Sequence, residues 1–314
     1  GAFGASINLK TQSLRAKPYA TTSNTIGSYS TLKNNVEFGT GLLANKFTLD
    51  GRLSRISSDG YIDRATSDLK SLYLAGAYYG NDKVLKLSVI SGKEKTYQAW
   101  NGVPLSYLDD DNLRTYNSYT YDNETDNYWQ DHYMLHYSKQ FANSGMFNLG
   151  LHFTHGEGYY EQYKNGQDFT DYGLNNVIVG SDTITETDLI RRKWLDNDFY
   201  GAVFSYNNNH NKLDYTIGGG WNTYDGRHYG VVRWAEYASN SQIDHIYYDN
   251  DGIKTDFNIF AKGLYKLNDD VTVYADLQNR QIDYSFLGKD ENGAARNDTV
   301  NFNFFNPQVF LVSE

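Results

Sequence analysis

Several residues have the chemistry to bind or react, and their spacing decides whether they can. His132 and His136 share one face of a strand-like run. Four strand residues span about 13 Å, too far for one metal ion about 2 Å from each ligand. They read as polar lining of a strand. His152 and His155 have opposite parity and face opposite ways. The run Asp109, Asp110, Asp111, Asn112 offers the oxygen ligands that Ca²⁺ takes, but it reads as a solvated loop tip. In "YYDNDGIKTD", Asp249, Asp251 and Gly252 echo a calcium loop, yet Tyr247 holds the first ligand position and no glutamate closes the motif. This stretch reads as a turn leading into the next strand. Glu157, Glu161 and Asp168 are near one another in a predicted loop, as chance allows among 38 acids. No nucleotide loop, nucleophile elbow or zinc-protease signature occurs. The residues thus point to no catalytic group, metal or cofactor.

Binding chemistry is better supplied. The predicted loops carry Trp100, Tyr107, Tyr119, Tyr121, Trp129, Tyr159, Tyr160, Trp234 and Tyr247, rigid rings that suit ligand capture. The same rings suit packing of loops on one another. Arg191, Arg192 and Lys193 form the one compact basic cluster. It fits an anionic iron chelate or lipopolysaccharide phosphates, or simply anchors the base of a loop.

The elements that must position these residues have a period of two almost throughout. In "VLKLSV", Leu85, Leu87 and Val89 alternate with Lys86 and Ser88; in "FNLGLHFTH", Phe147, Leu149, Leu151 and Phe153 alternate with Asn148, Gly150, His152 and Thr154. About a dozen strands follow from this pattern, over 17–30, 33–43, 46–57, 68–79, 83–93, 128–141, 145–157, 196–206, 212–224, 254–267, 270–285 and 299–308. Composition agrees: 29 tyrosines, 28 glycines and only three prolines in 314 residues suit strands with one wet face. The absence of cysteine excludes disulfides and thiolate metal sites. A net charge of −10 argues against a nucleic-acid partner.

Connections predict the topology. Short ones ("LANK", "GNDK", "ANSG", "NNNHNK", "NDD") alternate with long ones near 57–68, 92–127, 156–196, 224–254 and 288–298. An up-and-down meander then has its short turns at one end and its long loops at the other, as outer-membrane barrels do. Tyr78, Tyr137, Tyr206 and Tyr265 each precede a short turn on the apolar face, where interfacial girdles form. The expected fold is an all-β, transmembrane antiparallel up-and-down β-barrel with short periplasmic turns and long extracellular loops.

The opening segment "GAFGASINLKT" resembles the end of the plug domain of TonB-dependent outer-membrane receptors of the Bacteroidota, through Gly1, Ala2, Phe3, Gly4, Ala5, Ser6, Ile7, Asn8, Leu9 and Thr11. "NFNFFNP", Asn301 to Pro307, is similar to a mid-barrel strand of that family. The resemblance implies residues 1–12 as the end of the plug and 13–314 as the N-terminal half of the barrel. That is a partial barrel of about 12 strands from about 22, stopping at Glu314 rather than on a terminal aromatic. It further implies a Gram-negative outer-membrane location, contact with outer-membrane lipid, and coupling to the TonB complex through plug and TonB-box segments outside the sequence. The activity implied is active import of a scarce nutrient, ferric siderophore first, with vitamin, peptide or glycan as other ligands. No enzyme activity and no cofactor follow. Two other readings are a self-contained barrel of about 12 strands, acting as a channel or enzyme, and a TonB-dependent glycan importer. The self-contained barrel would pair Thr21–Ser30 with Val300–Phe305. A soluble carbohydrate-binding propeller would show a repeat and polar outer faces, and neither is seen.

Overall fold

The computed structural model describes residues 14–142, 144–289 and 294–313. The expected plug end, residues 1–12, lies outside the described residues. The strands are β1 (Tyr19–Gly27), β2 (Thr31–Gly39), β3 (Phe47–Ser58), β4 (Ser67–Tyr79), β5 (Lys83–Tyr97), β6 (Thr125–Gln140), β7 (Met146–Asp168), β8 (Val177–Val179), β9 (Asp182–Ile184), β10 (Glu186–His210), β11 (Leu213–Ala235), β12 (His245–Lys266), β13 (Val271–Lys289) and β14 (Ala295–Ser313). All but β8 and β9 join one 12-stranded antiparallel sheet in chain order, and β8–β9 is a separate small hairpin.

Alternation sets the two faces. Cross-strand partners keep parity, so Phe38, Gly51, Leu74, Val89, Tyr133, Phe153 and Tyr200 form one apolar row. The opposite face carries His132, Thr154 and other polar groups, and His132 Nδ1 lies 2.8 Å from Thr154 Oγ1. His155 instead meets Asp198 at 2.9 Å. Leu53 and Leu87 are about half exposed, which a sheet tolerates when lipid covers that side.

Tight turns close the short end. Asn211 has a φ of 55° in the two-residue link between β10 and β11, the left-handed geometry that hairpin turns require. Tyr78, Tyr137, Tyr206 and Tyr265 all fall beside short turns on the apolar face. Rings pack there: Phe47 on Tyr78 at 5.3 Å, and Tyr206 on Phe141 and Tyr215, each at 6.1 Å.

Four expectations change. First, the strands at the long-loop end run much further than expected. β7 continues to Asp168, β10 begins at Glu186, and β11 and β12 are separated only by residues 236–244. The loops predicted over 156–196 and 224–254 are mostly β-ribbon. Second, "YYDNDGIKTD" is strand in β12 rather than a turn. Asp249 there accepts Arg227 Nη2 at 2.6 Å. Third, the alternation of short and long connections has an exception, because β1 and β2 are joined at the long-loop end by a tight turn through Tyr29 and Ser30, φ 58° and 52°. Fourth, β1 pairs with β2 and β14 with β13, and the two do not pair with each other. The sheet is open, so the closure required of a self-contained 12-strand barrel is absent among the described residues.

A small core sits on the ribbon extension. Phe169 and Leu189 are fully buried with Tyr172, Leu174 and Val232, and Val177, Ile184 and Tyr247 pack around them. Burying each large side chain contributes about 1.5–3 kcal/mol, enough to hold the 169–185 connection against β10 and β11.

Candidate functional site

Extending the strands redistributes the candidate residues. Arg191, Arg192 and Lys193 do not form one cluster: they are consecutive in β10, and the period of two sends Arg192 to the face opposite the other two. Trp129 on β6, Tyr159 and Tyr160 on β7, Trp234 on β11 and Tyr247 on β12 are strand residues rather than loop residues. Trp100, Tyr107, Tyr119 and Tyr121 remain in the connection between β5 and β6.

On the polar face, Arg191 donates from Nη1 to Tyr172 OH at 2.9 Å and from Nη2 to Gln162 Oε1 at 3.1 Å. Gln162 donates to Gln98, which is fully buried and itself donates to the Glu161 carbonyl at 2.8 Å. Tyr160 meets Trp100 edge-on at 5.2 Å, and Trp100 meets Tyr119 at 6.5 Å. Tyr247 packs on Tyr172 at 4.6 Å and on Tyr248 at 5.0 Å, and Lys193 lies 5.9 Å over the Tyr248 ring. Gly230 leaves room for these rings, since a Cβ there would run into both Tyr247 and Tyr248. The result is one wall of phenols and cations.

Its electrostatics are unbalanced. Burial, with Arg191 and Lys164 nearby, pulls Lys193 below the usual lysine range. Burial and Arg191 likewise lower Lys164, partly offset by Glu124. Burial pushes Tyr248 up to about 12, and Tyr247 is also raised, chiefly by burial. Among the described residues no carboxylate lies within ion-pair distance of Arg191 or Lys193. Arg191 Nε and Tyr247 OH are buried without a hydrogen-bond partner. A buried polar atom left unpaired costs about 1–3 kcal/mol.

The other face is closed upon itself. Glu161 accepts Arg192 Nε at 2.7 Å, Tyr121 OH at 2.8 Å and Asn123 Nδ2 at 2.6 Å. The Arg192 guanidinium stacks 4.2 Å over Tyr159. Tyr159 packs on Trp194 at 4.4 Å, and Trp194 on Trp129 and Tyr229. Here the arginine is neutralised and the rings are mutually packed. Tyr107 pairs with Tyr116 at 5.4 Å, and Trp234, opposite Ile190, is 48% exposed.

The structure thus brings Trp100, Tyr119, Tyr160, Arg191 and Tyr247 together and leaves Tyr107, Tyr121, Trp129, Tyr159, Arg192 and Trp234 outside that group. Lys164 and Tyr172 were missed by sequence reasoning. Continued alternation through 160, 162, 164 and 189, 191, 193 was the signal for Lys164; only packing reveals Tyr172. The acidic run at 109–112 is a hydrogen-bonded turn in which Asp110 Oδ1 accepts the Asn112 amide at 2.8 Å. No group of three or more potential metal ligands occurs among the described residues.

Comparison with known proteins turns on the sheet. No family model matches the sequence, and no curated protein matches it. Solved structures do. In the FpvAI–pyocin S2 complex, the match covers 100% of this chain and 41% of the other, at 13% identity and a TM-score of 0.75. The fold is that of a TonB-dependent receptor barrel wall. The siderophore receptor PiuA from Acinetobacter baumannii matches over 97% of this chain and 48% of its own, at 7% identity and a TM-score of 0.70. The open form of the ferric-catecholate import receptor Fiu from E. coli matches over 96% and 52%, at 11% identity and a TM-score of 0.68. The chain spans about half the length of these solved receptors.

Proposed function

We propose that this chain is part of the wall of a Gram-negative outer-membrane receptor that captures an anionic ferric chelate at the cell surface and imports it with energy delivered through TonB. The apolar face lies against lipid and the polar face lines the lumen. Residues 1–12, which resemble a plug end, and the wall from 13 onward belong to one Bacteroidota-type receptor. The protein carries its ligand and breaks no bond. The observation that carries this reading is the unneutralised group of Arg191, Lys193 and Lys164 among Trp100, Tyr160, Tyr172, Tyr247 and Tyr248. Guanidinium and phenol groups bind anionic oxygen in charge-assisted hydrogen bonds, and aromatic walls add contact area at little entropic cost. The sheet shared with PiuA and Fiu supports the same reading.

The test uses the full-length protein in its own outer membrane. Uptake of radioiron as a ferric siderophore is expected to require both the protein and TonB. Arg191→Ala is expected to weaken binding about tenfold, as loss of a charged hydrogen-bonding partner does. Iron uptake independent of the protein, combined with induction by a glycan, would sink the chelate reading in favour of glycan import.

A further inference from the structure

The apolar face carries a second charged feature, away from the lumen wall. Directly paired positions on successive strands run Asn34, Arg55, Lys70, Lys93 and Trp129. Three cations therefore stand side by side on β3, β4 and β5, with Cβ atoms about 5 Å apart. Like charges directly opposite one another destabilise a sheet, and the Trp129 ring, 5.8 Å from Lys93 Nζ, takes up only the end of the row. One acid relieves them in part: Asp68 accepts Arg55 Nε at 2.9 Å and lies 3.3 Å from Lys70 Nζ. Lys95 stands opposite Asp68 on β5, and no ion pair engages Lys93 or Lys95 among the described residues. Arg55, Lys70, Lys93 and Lys95 are all exposed.

The next row toward the short turns is apolar, Val36, Leu53 and Leu72, ending on Ser91. The two rows line a groove of about 460 Å³ that is cationic along one side and aliphatic along the other. Long basic side chains above an apolar belt commonly snorkel to the interface, and that would be the plain explanation of a ring of them. This is not a ring. Beyond Trp129 the same row continues through Glu157 and Asp196 to Arg227, and the row below it carries Asp131, His155 and Asp198. Unpaired positive charge in this row is confined to the β3–β5 sector, because Arg227 is held by Asp249.

We infer that the Arg55–Lys70–Lys93 groove is a specific docking site for a phosphorylated, multiply acylated glycolipid of the outer leaflet, its phosphate on the cation row and its acyl chains on Val36, Leu53 and Leu72. Phosphate oxygens accept the guanidinium fork and the ammonium groups. They also remove the repulsion along the row, and the aliphatic strip continues the lipid-facing side. The site rests on the outer-membrane reading but not on the identity of the imported ligand.

The test is binding of purified glycolipid to the full-length receptor in mild detergent, with outer-membrane fractionation and heat-modifiable migration followed in parallel. Lys70→Gln/Lys93→Gln is expected to bind the phosphorylated glycolipid about thirtyfold more weakly, since each interfacial basic residue contributes about 1 kcal/mol to anionic-lipid attraction. The wild type is expected to lose binding to the same degree when the glycolipid is dephosphorylated. Asp196→Asn, in the acidic stretch of the row, is expected to bind at least as well as wild type. The double variant removes like-charge repulsion and should remain heat-modifiable; the single variant Lys93→Gln gives an intermediate loss. Equal affinity of wild type and double variant, or indifference to the phosphates, would overturn the site alone. Recovery of the wild-type protein outside the outer membrane would overturn the location and the site together.

Discussion

Arg192 donates from Nε to Glu161 at 2.7 Å, across neighbouring strands, with the glutamate side chain 4% exposed and the arginine 22%. Tyr121 and Asn123 bind the same carboxylate from the β5–β6 connection. The pair therefore fastens a long surface loop to the ribbon. Removing one partner of a buried ion pair typically costs about 3–5 kcal/mol. Arg192→Ala is expected to raise amide exchange through residues 98–124 while leaving the Leu85–Val89 segment of β5 protected. Unchanged exchange in the loop would show that Gln98 and its neighbours suffice to hold it.

The same clasp should respond to pH at both extremes. Burial pushes Glu161 up, but Asn123, Arg192 and Tyr121 more than offset it, leaving the carboxyl below its ordinary value of 4.5. A depressed carboxyl stabilises the fold above 4.5 and loses that contribution as pH falls through its folded value. Tyr121 is pushed from 10.0 up to about 12, by burial first and then by Glu161. Between those values the unfolded phenol ionises first, so stability declines as pH rises. Proteolysis of the 98–124 loop is expected to quicken below 4.5 and again above 10, with a flat interval between. Glu161→Gln is expected to abolish the acid limb.

Tyr247 offers a way to separate stability from binding. Its hydroxyl is buried without a partner. Tyr247→Phe is expected to leave unfolding unchanged or to raise stability by about 1 kcal/mol, because the desolvated hydroxyl disappears. If Tyr247 serves the ligand, the same change weakens capture of the ferric chelate. A variant that is destabilised but binds normally would place the residue in the packing alone.

His152 and Asn222 lie on strands separated by β10, yet their side chains meet at 2.8 Å. Gly201, paired with both, lies between them. A Cβ at Gly201 would meet the Trp221 carbonyl and come within 2.6 Å of Asn222 Oδ1. Gly201→Ala is expected to break the bridge and lower the temperature of the heat-modifiable transition, and Gly201→Val to lower it further.

Leu87, 54% exposed on the apolar face of β5, tests whether that face meets lipid. Leu87→Arg is expected to cost about 2–4 kcal/mol in a bilayer, as charges do at the midplane of such barrels. Denaturant titration in vesicles measures it. No cost would show that this face does not contact hydrocarbon.

The sequence alone determined the lower part of the molecule. Leu85, Leu87 and Val89 against Lys86 and Ser88 declare one apolar and one wet face, and the Asn- and Gly-rich links declare the hairpins. Both signals are local, so the twelve strands and their order were readable. Above the apolar belt both faces meet water or other protein. Tyr159, Tyr160, Glu161 and Gln162 then alternate without a hydrophobic period, and a strand there looks like a loop. Backbone pairing with β10 is what extends it, and that pairing sends Arg191 to the lumen wall and Arg192 to Glu161. The alignment of Arg55, Lys70 and Lys93 has the same origin. They are far apart in the chain, each unremarkable in its own strand, and only the register between strands sets them side by side.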